Sequence, residues 1–249
     1  MHKLCLALVA ITSVAHADDK KHTLADLKAL VSQNAFKEAL QHLGDIPPAQ
    51  RNADWVDVAA TASGGFLGTV SASDAFGIID QIDREYPQIL KSAKYTGPRG
   101  ELGTKGLASC LQDTDGSPEC VAIGLRFVDN SGGDRALALK VAKVVRVGTG
   151  SATAVPFFKR AFGGKDNAAV CKDEDLKIAV VAGLGLPPDE ANATESKVIM
   201  GTCWDSLKDA VVAAFDSDSG GGNVHRNTCD TLKAKKMLSS LQEKQCAKK

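Results

Sequence analysis

The sequence predicts an all-α protein of stacked antiparallel helix hairpins, α-solenoid-like and reinforced by disulfides. Three observations predict it. Apolar residues recur at three- and four-residue spacing through a dozen segments. Prolines and glycines interrupt those segments at short intervals, as the loops of helix hairpins do. Val and Thr form no alternating runs, whereas Ala, Leu and Lys, all helix formers, are abundant.

The chain opens on Met1-His2-Lys3, an apolar run from Leu4 to Val14, and Ala15-His16-Ala17. That order of cationic start, short apolar core and A-x-A site predicts a signal peptide over 1–17. The run is too short for a membrane span, and Cys5 precedes it, so it is no lipoprotein cysteine. Residues 18–249 then read as a single helical-repeat-like domain, with 95–98 the place where it would subdivide.

The first helix is expected over Thr23–Gln33, with Leu24, Leu27, Leu30 and Val31 on one face and Thr23 with Asp26 as a capping box. A second runs from Asn34 to Leu43 and stops at Gly44 before Pro47-Pro48. A third spans Pro48–Ala62 around Trp55, Val56 and Ala59. Ser73-Asp74 caps a fourth that presents Phe76, Ile79 and Ile82 and ends before Pro87. Pro87–Lys94 and Pro98–Leu111 read as two helices, the second weakened by Gly97, Gly100, Gly103 and Gly106. Pro118–Val128 follows, then Asp134–Val147. The latter is apolar nearly all round except for a stripe of Lys140, Lys143 and Arg146, which predicts a central, mostly buried helix. Ser151–Phe162, Asp173–Leu184, Pro188–Phe215 and Cys229–Cys246 complete the series.

Composition excludes several function classes. Thirty basic and thirty acidic side chains balance across the chain. Losing Lys3 with the signal leaves a charge near −1, without the basic surplus of a general nucleic-acid or anionic-membrane binder. No transmembrane segment is expected in the mature chain.

Six cysteines remain after the signal: Cys110, Cys120, Cys171, Cys203, Cys229 and Cys246. An even count in an exported chain predicts structural disulfides. Six cysteines allow fifteen pairings, and hairpin geometry ranks them. Cys110 and Cys120 flank the Asp113–Ser117 loop, and Cys171 and Cys203 stand at similar distances from Leu186-Pro187-Pro188. Cys229 and Cys246 would be about 25 Å apart in one straight helix, so their pairing requires a bend near Lys236. Three sequential bridges are therefore expected, with Trp204 packed on the Cys171–Cys203 pair. No cysteine pair has C-x-x-C spacing, and no histidine stands at zinc-ligand spacing from one.

Other motifs carry bland readings. Ile178 to Gly185 resembles a dinucleotide-binding turn, yet Pro188 replaces the third glycine and no βαβ unit follows; a buried helix end is expected. Asp216-Ser217-Asp218 before Ser219 to Gly222 lacks an EF-hand's remaining ligands and reads as a linker. Asp113-x-Asp115 with Glu119 reads as turn chemistry. Gly163-Gly164-Lys165 lacks the earlier P-loop glycine, and Asp166-Asn167 reads as a helix start. Asn192-Ala193-Thr194 fits a glycosylation acceptor pattern, silent in a bacterium. The basic tail (Lys233, Lys235, Lys236, Lys244, Lys248, Lys249) reads as a solvated helix face. His22, His42 and His225 each stand alone in sequence, outside any catalytic motif. Neither catalytic residue, cofactor nor metal ligand is assigned on these grounds.

Asn34-x-Phe36-x-x-Ala39-Leu40, followed by a Pro-containing turn and a helix with Trp55 and Ala59, resembles tetratricopeptide-type helix hairpins. The texture continues through Ala154, Phe157, Phe158 and Ala161, without a strict 34-residue period. The final third, with Cys203-Trp204, Asn227-Thr228-Cys229 and Cys246, is similar to uncharacterised secreted helical proteins of myxobacteria, which implies no activity. The expected function is a non-catalytic exported scaffold or protein-binding module of the bacterial envelope, with a protein partner and no nucleic acid. Two alternatives stand beside it. An apolar small-molecule or lipid carrier would line a cavity with Phe157, Phe158 and Phe162. A hydrolase would bring His42 or His225 to a Ser, Asp or Glu in a cleft.

Overall fold

A computed structural model describes residues 21–162, 168–218 and 222–246. The expected signal peptide, the Gly163 to Asn167 stretch, Ser219 to Gly221 and Lys248-Lys249 lie outside the described residues. Among the described residues the chain forms fourteen α-helices joined by short turns and 3-10 segments, with no strand.

Polar side-chain caps set several of the helix starts. Thr23 and Asp26 exchange the two hydrogen bonds of a capping box (2.8 and 3.3 Å) at α1 (Leu24–Ser32). After a left-handed Asn34, α2 (Phe36–His42) runs back against α1. Asn52 accepts the Trp55 N–H to begin α3 (Ala53–Leu67). Helix α4 (Ala75–Glu85) starts from a 3-10 turn rather than from the expected Ser73-Asp74 cap, because the Asp74 carboxylate is taken by Ser71 Oγ at 2.7 Å. Ser117 and Asp134 accept N–H groups at the starts of α6 (Pro118–Asp129) and α7 (Arg135–Thr149).

Two expected boundaries are corrected. Pro87–Lys94 and Pro98–Leu111 are not two helices. A 3-10 turn covers Pro87–Lys91, and one long helix, α5 (Ala93–Asp113), carries Pro98 inside it. Pro98 has no N–H for the Lys94 carbonyl. That carbonyl lies against Gly64 of α3, where a side chain would occupy its place. Likewise Phe127 of α6 closes on Gly103, and Ala75 of α4 on Gly106. The glycines that weaken α5 as an isolated helix are where its neighbours approach it.

The expected single helix Pro188–Phe215 is two, α11 (Ala191–Thr202) and α12 (Trp204–Ser217). The break falls at Cys203, whose backbone leaves helical geometry where it is bridged to Cys171. Before them come α8 (Val155–Phe162), the short α9 (Ala168–Cys171) and α10 (Glu174–Leu184). Helix α13 (Asn223–Ala234) begins before Cys229 and turns at a left-handed Lys236 into α14 (Ser240–Cys246).

Helices α1, α3, α5 and α7 lie side by side in that order, and α2, α4 and α6 pack on this row from hairpin to hairpin. Helix α7 joins the row to a second group, in which α10 touches α8, α11, α12 and α13. One contiguous core runs through both, from Leu27 to Leu232. Disulfides tie Cys110 to Cys120, Cys171 to Cys203 and Cys229 to Cys246, with Cα separations of 5.8, 5.2 and 5.6 Å. These bridges indicate an oxidising environment. No described helix is long and apolar enough to cross a membrane.

Helix α7 is central but only half-buried. Leu137, Ala138, Val141, Ala142 and Val145 face the core, while Val147 is 76% exposed. Two members of its basic stripe are paired: Lys143 with Asp173 at 2.7 Å, and Arg146 with Asp175, both at the start of α10.

Candidate functional site

The outer row leaves a groove of about 620 Å³ between α4 and α6. Its floor is apolar: Phe76, Leu90, Ile123 and Phe127, with the two phenyl rings edge to face at 5.7 Å. Asp80, Arg84, Arg126 and Asn130 stand exposed on its rim. The 3.6-residue period puts Phe76, Asp80 and Asp83 of α4 along this side, and Ile123, Phe127 and Asn130 of α6 opposite.

Behind the floor lies a buried ionic joint. Arg99 of α5 is 3% exposed and reaches Asp83 of α4 through Nε and Nη2, at 2.9 and 2.7 Å. Tyr95, one turn earlier on α5, donates its hydroxyl to Asp83 Oδ1 at 2.6 Å. Burial, and then the Asp83 carboxylate, push the Tyr95 phenol far above its usual pKa, so it remains a hydrogen-bond donor. The Arg99 guanidinium lies 4.7 Å over the Phe127 ring. One arginine thus fixes α4 and α6 to α5 and sets the walls of the groove. None of Tyr95, Asp83 and Arg99 was singled out from sequence. Their i, i+4 spacing on α5 would place Tyr95 and Arg99 on one face, but nothing in the sequence brings Asp83 to them.

His22 and His42 do not stand alone. His22 precedes the α1 cap, His42 ends α2, and Asp45 lies in the following 3-10 turn. The two imidazoles stack at 3.8 Å between centroids, and both Nδ1 atoms point at Asp45 Oδ2, at 3.3 and 3.1 Å. That oxygen also accepts the His22 backbone N–H at 3.0 Å. Burial alone would raise the Asp45 pKa; the His22 N–H and the His42 ring outweigh it and hold the carboxyl below its usual value. The donor atoms of the three residues lie within 4.8 Å of one another. Sequence reasoning missed this meeting because His22 and Asp45 are 23 residues apart, across a hairpin.

His225 is buried on α13, 2% exposed, with Nδ1 3.1 Å from Asp218 Oδ2 and its ring 4.0 Å from that of Phe215. The same carboxylate accepts the His225 N–H, so Asp218 is engaged in structure rather than part of a free linker. Among the described residues the hydrogen bonds of His42 and His225 run to carboxylates, not to a hydroxyl nucleophile. Phe157 and Phe158 are fully buried and Phe162 nearly so, within the apolar core. Asp113 accepts from Ser109, and Asp115 and Gly116 take left-handed turn geometry, in keeping with a turn. In the basic tail, Lys233, Lys235 and Lys236 are exposed, and Lys235 lies 5.7 Å over Trp204. A second hollow, of about 690 Å³, lies between α5 and α7 and is lined by Ala108, Leu111, Val144 and Val147.

Comparison with protein-family models, with curated proteins and with solved structures found no match to this chain.

Proposed function

We propose that this protein is a non-catalytic binding module, exported through its signal peptide to the bacterial periplasm or medium, that holds a protein partner in the α4–α6 groove. The observation that carries this reading is the groove itself. It has an apolar centre of Phe76, Leu90, Ile123 and Phe127 inside a charged rim, the arrangement of protein-binding surfaces. The Arg99–Asp83 joint holds its walls in place before a partner arrives, which lowers the ordering cost of association. The partner segment it suits brings an apolar side chain to the floor and carries both signs of charge, to meet Asp80 and Arg84 on the α4 side and Arg126 on the α6 side.

The test is capture from envelope and medium fractions by oxidised wild-type protein and by Ile123→Glu, compared by mass spectrometry. A partner enriched by wild type and reduced at least about tenfold by the variant, equivalent to about 1.4 kcal/mol, supports the groove. The same proteins captured equally by both contradict it. A second reading, a carrier of apolar ligands, is favoured by the α5–α7 hollow with its exposed Val147. It expects a lipid or apolar metabolite in the organic extract of purified protein, displaced by Val144→Glu.

A further inference from the structure

We infer that His22, His42 and Asp45 form a binding site for a late first-row divalent cation, with Zn²⁺ as the reference ion. An ordinary histidine–carboxylate pair needs one ring and one oxygen. Here two rings from separate elements converge by the same nitrogen on the same oxygen. The donor set, two imidazole nitrogens and a carboxylate oxygen, suits Zn²⁺, Cu²⁺ or Ni²⁺ and not Ca²⁺ or Mg²⁺, which take oxygen ligands.

The spacing fits. A tetrahedral zinc with bonds of about 2.0–2.1 Å separates its ligand atoms by about 3.3–3.4 Å. The two Nδ1–Oδ2 distances are 3.3 and 3.1 Å and all donor atoms lie within 4.8 Å of one another, so ring rotation that draws the two nitrogens together lets an ion replace the hydrogen bonds, each neutral imidazole then carrying its proton on Nε2. The ion requires an ionised carboxylate and neutral rings. The three side chains are 28%, 34% and 27% exposed. The site is thus open on one side, which leaves a fourth position for water and an entry path. A bound ion would fasten the segment before α1 to the end of α2, closing the first hairpin at its open end.

The test is calorimetric titration of the oxidised chain, without a histidine tag, with ZnCl₂. The disulfides keep all six mature cysteines from competing. The proposal expects one Zn²⁺ per chain and at least about a tenfold loss of affinity in both His22→Ala and Asp45→Asn, since even outer-sphere changes cost 10–100-fold. Asp115→Asn, in the other acidic turn, should bind as wild type does. His22 lies outside every helix, so His22→Ala should fold normally, which circular dichroism checks. Co²⁺ should give the visible bands of a tetrahedral N/O site in wild type and not in His22→Ala. Absence of binding heat, or unchanged affinity in His22→Ala and Asp45→Asn, overturns the proposal.

Discussion

Arg99 and Asp83 meet behind the α4–α6 groove with Nη2 and Oδ2 2.7 Å apart, the arginine 3% and the aspartate 15% exposed. Removing one partner of such a pair leaves the other charge buried without compensation, which typically costs about 3–5 kcal/mol. Asp83→Ala is therefore expected to lower stability by about that amount. Asp83→Ala with Arg99→Met should be less damaging than the two single changes summed. Chemical denaturation of the four proteins in a double-mutant cycle measures the coupling.

Tyr95→Phe removes one hydrogen bond to a charged acceptor and keeps the ring. The expected loss is about 1.5–3 kcal/mol, read from the shift in denaturation midpoint. A neutral result would mean that Asp83 is satisfied by Arg99 alone.

Gly64→Ala places a methyl group where the Lys94 carbonyl stands. Overpacking of this kind typically costs about 1–3 kcal/mol, and backbone on the far side cannot rotate away as a side chain would. Gly77→Ala, on α4 with open space around it, is expected to be neutral or slightly stabilising. Thermal melts of the two variants give the comparison.

These glycines show what was legible in the sequence and what was not. The apolar periodicity of Leu24, Leu27 and Leu30 and the Thr23–Asp26 box are local signals, and each stands in the structure as read, while the bend that a Cys229–Cys246 bridge requires is present at the left-handed Lys236. The three sequential bridges also followed from local hairpin geometry. Gly103 and Gly106 count against a helix in isolation and for it once Phe127 and Ala75 arrive, and a one-dimensional reading holds only the first half of that balance. The same limit hid both candidate sites. Asp83 with Arg99, and His22 with Asp45, are contacts between elements, and their sequence spacing carries no sign of them. The break at Cys203 belongs with these, since it depends on where Cys171 sits.

Asp129 and Arg160 tie α6 to α8 in an ion pair. The Arg160 guanidinium beside Asp129 holds its carboxyl below the usual range. A depressed folded-state pKa contributes stability above the unfolded value of about 3.9 and loses it as pH falls through the folded value. Asp129→Asn should thus cost stability at pH 5–7 and nothing in strong acid. Asp129 is 53% exposed, so solvent screening keeps the cost under about 1 kcal/mol. Denaturation of both proteins across that pH range checks the sign.

The bridges should differ in weight. Cys171–Cys203 spans 32 residues, Cys229–Cys246 17 and Cys110–Cys120 10. The chain-entropy relation gives about 3.7, 3.1 and 2.7 kcal/mol in that order. Paired Cys→Ser variants should therefore rank with the 171/203 pair the most destabilised. Loss of the 229/246 bridge should free α14 first, seen as fast amide exchange after residue 236.

The central claim is a stack of helix hairpins locked by three sequential bridges in an oxidising compartment. Its most direct test is disulfide mapping, by mass spectrometry of a non-reduced digest, on protein recovered from the producing cell. The account predicts Cys110 linked to Cys120, Cys171 to Cys203 and Cys229 to Cys246, in a chain that begins at Asp18. Free thiols, or any other pairing, would contradict it.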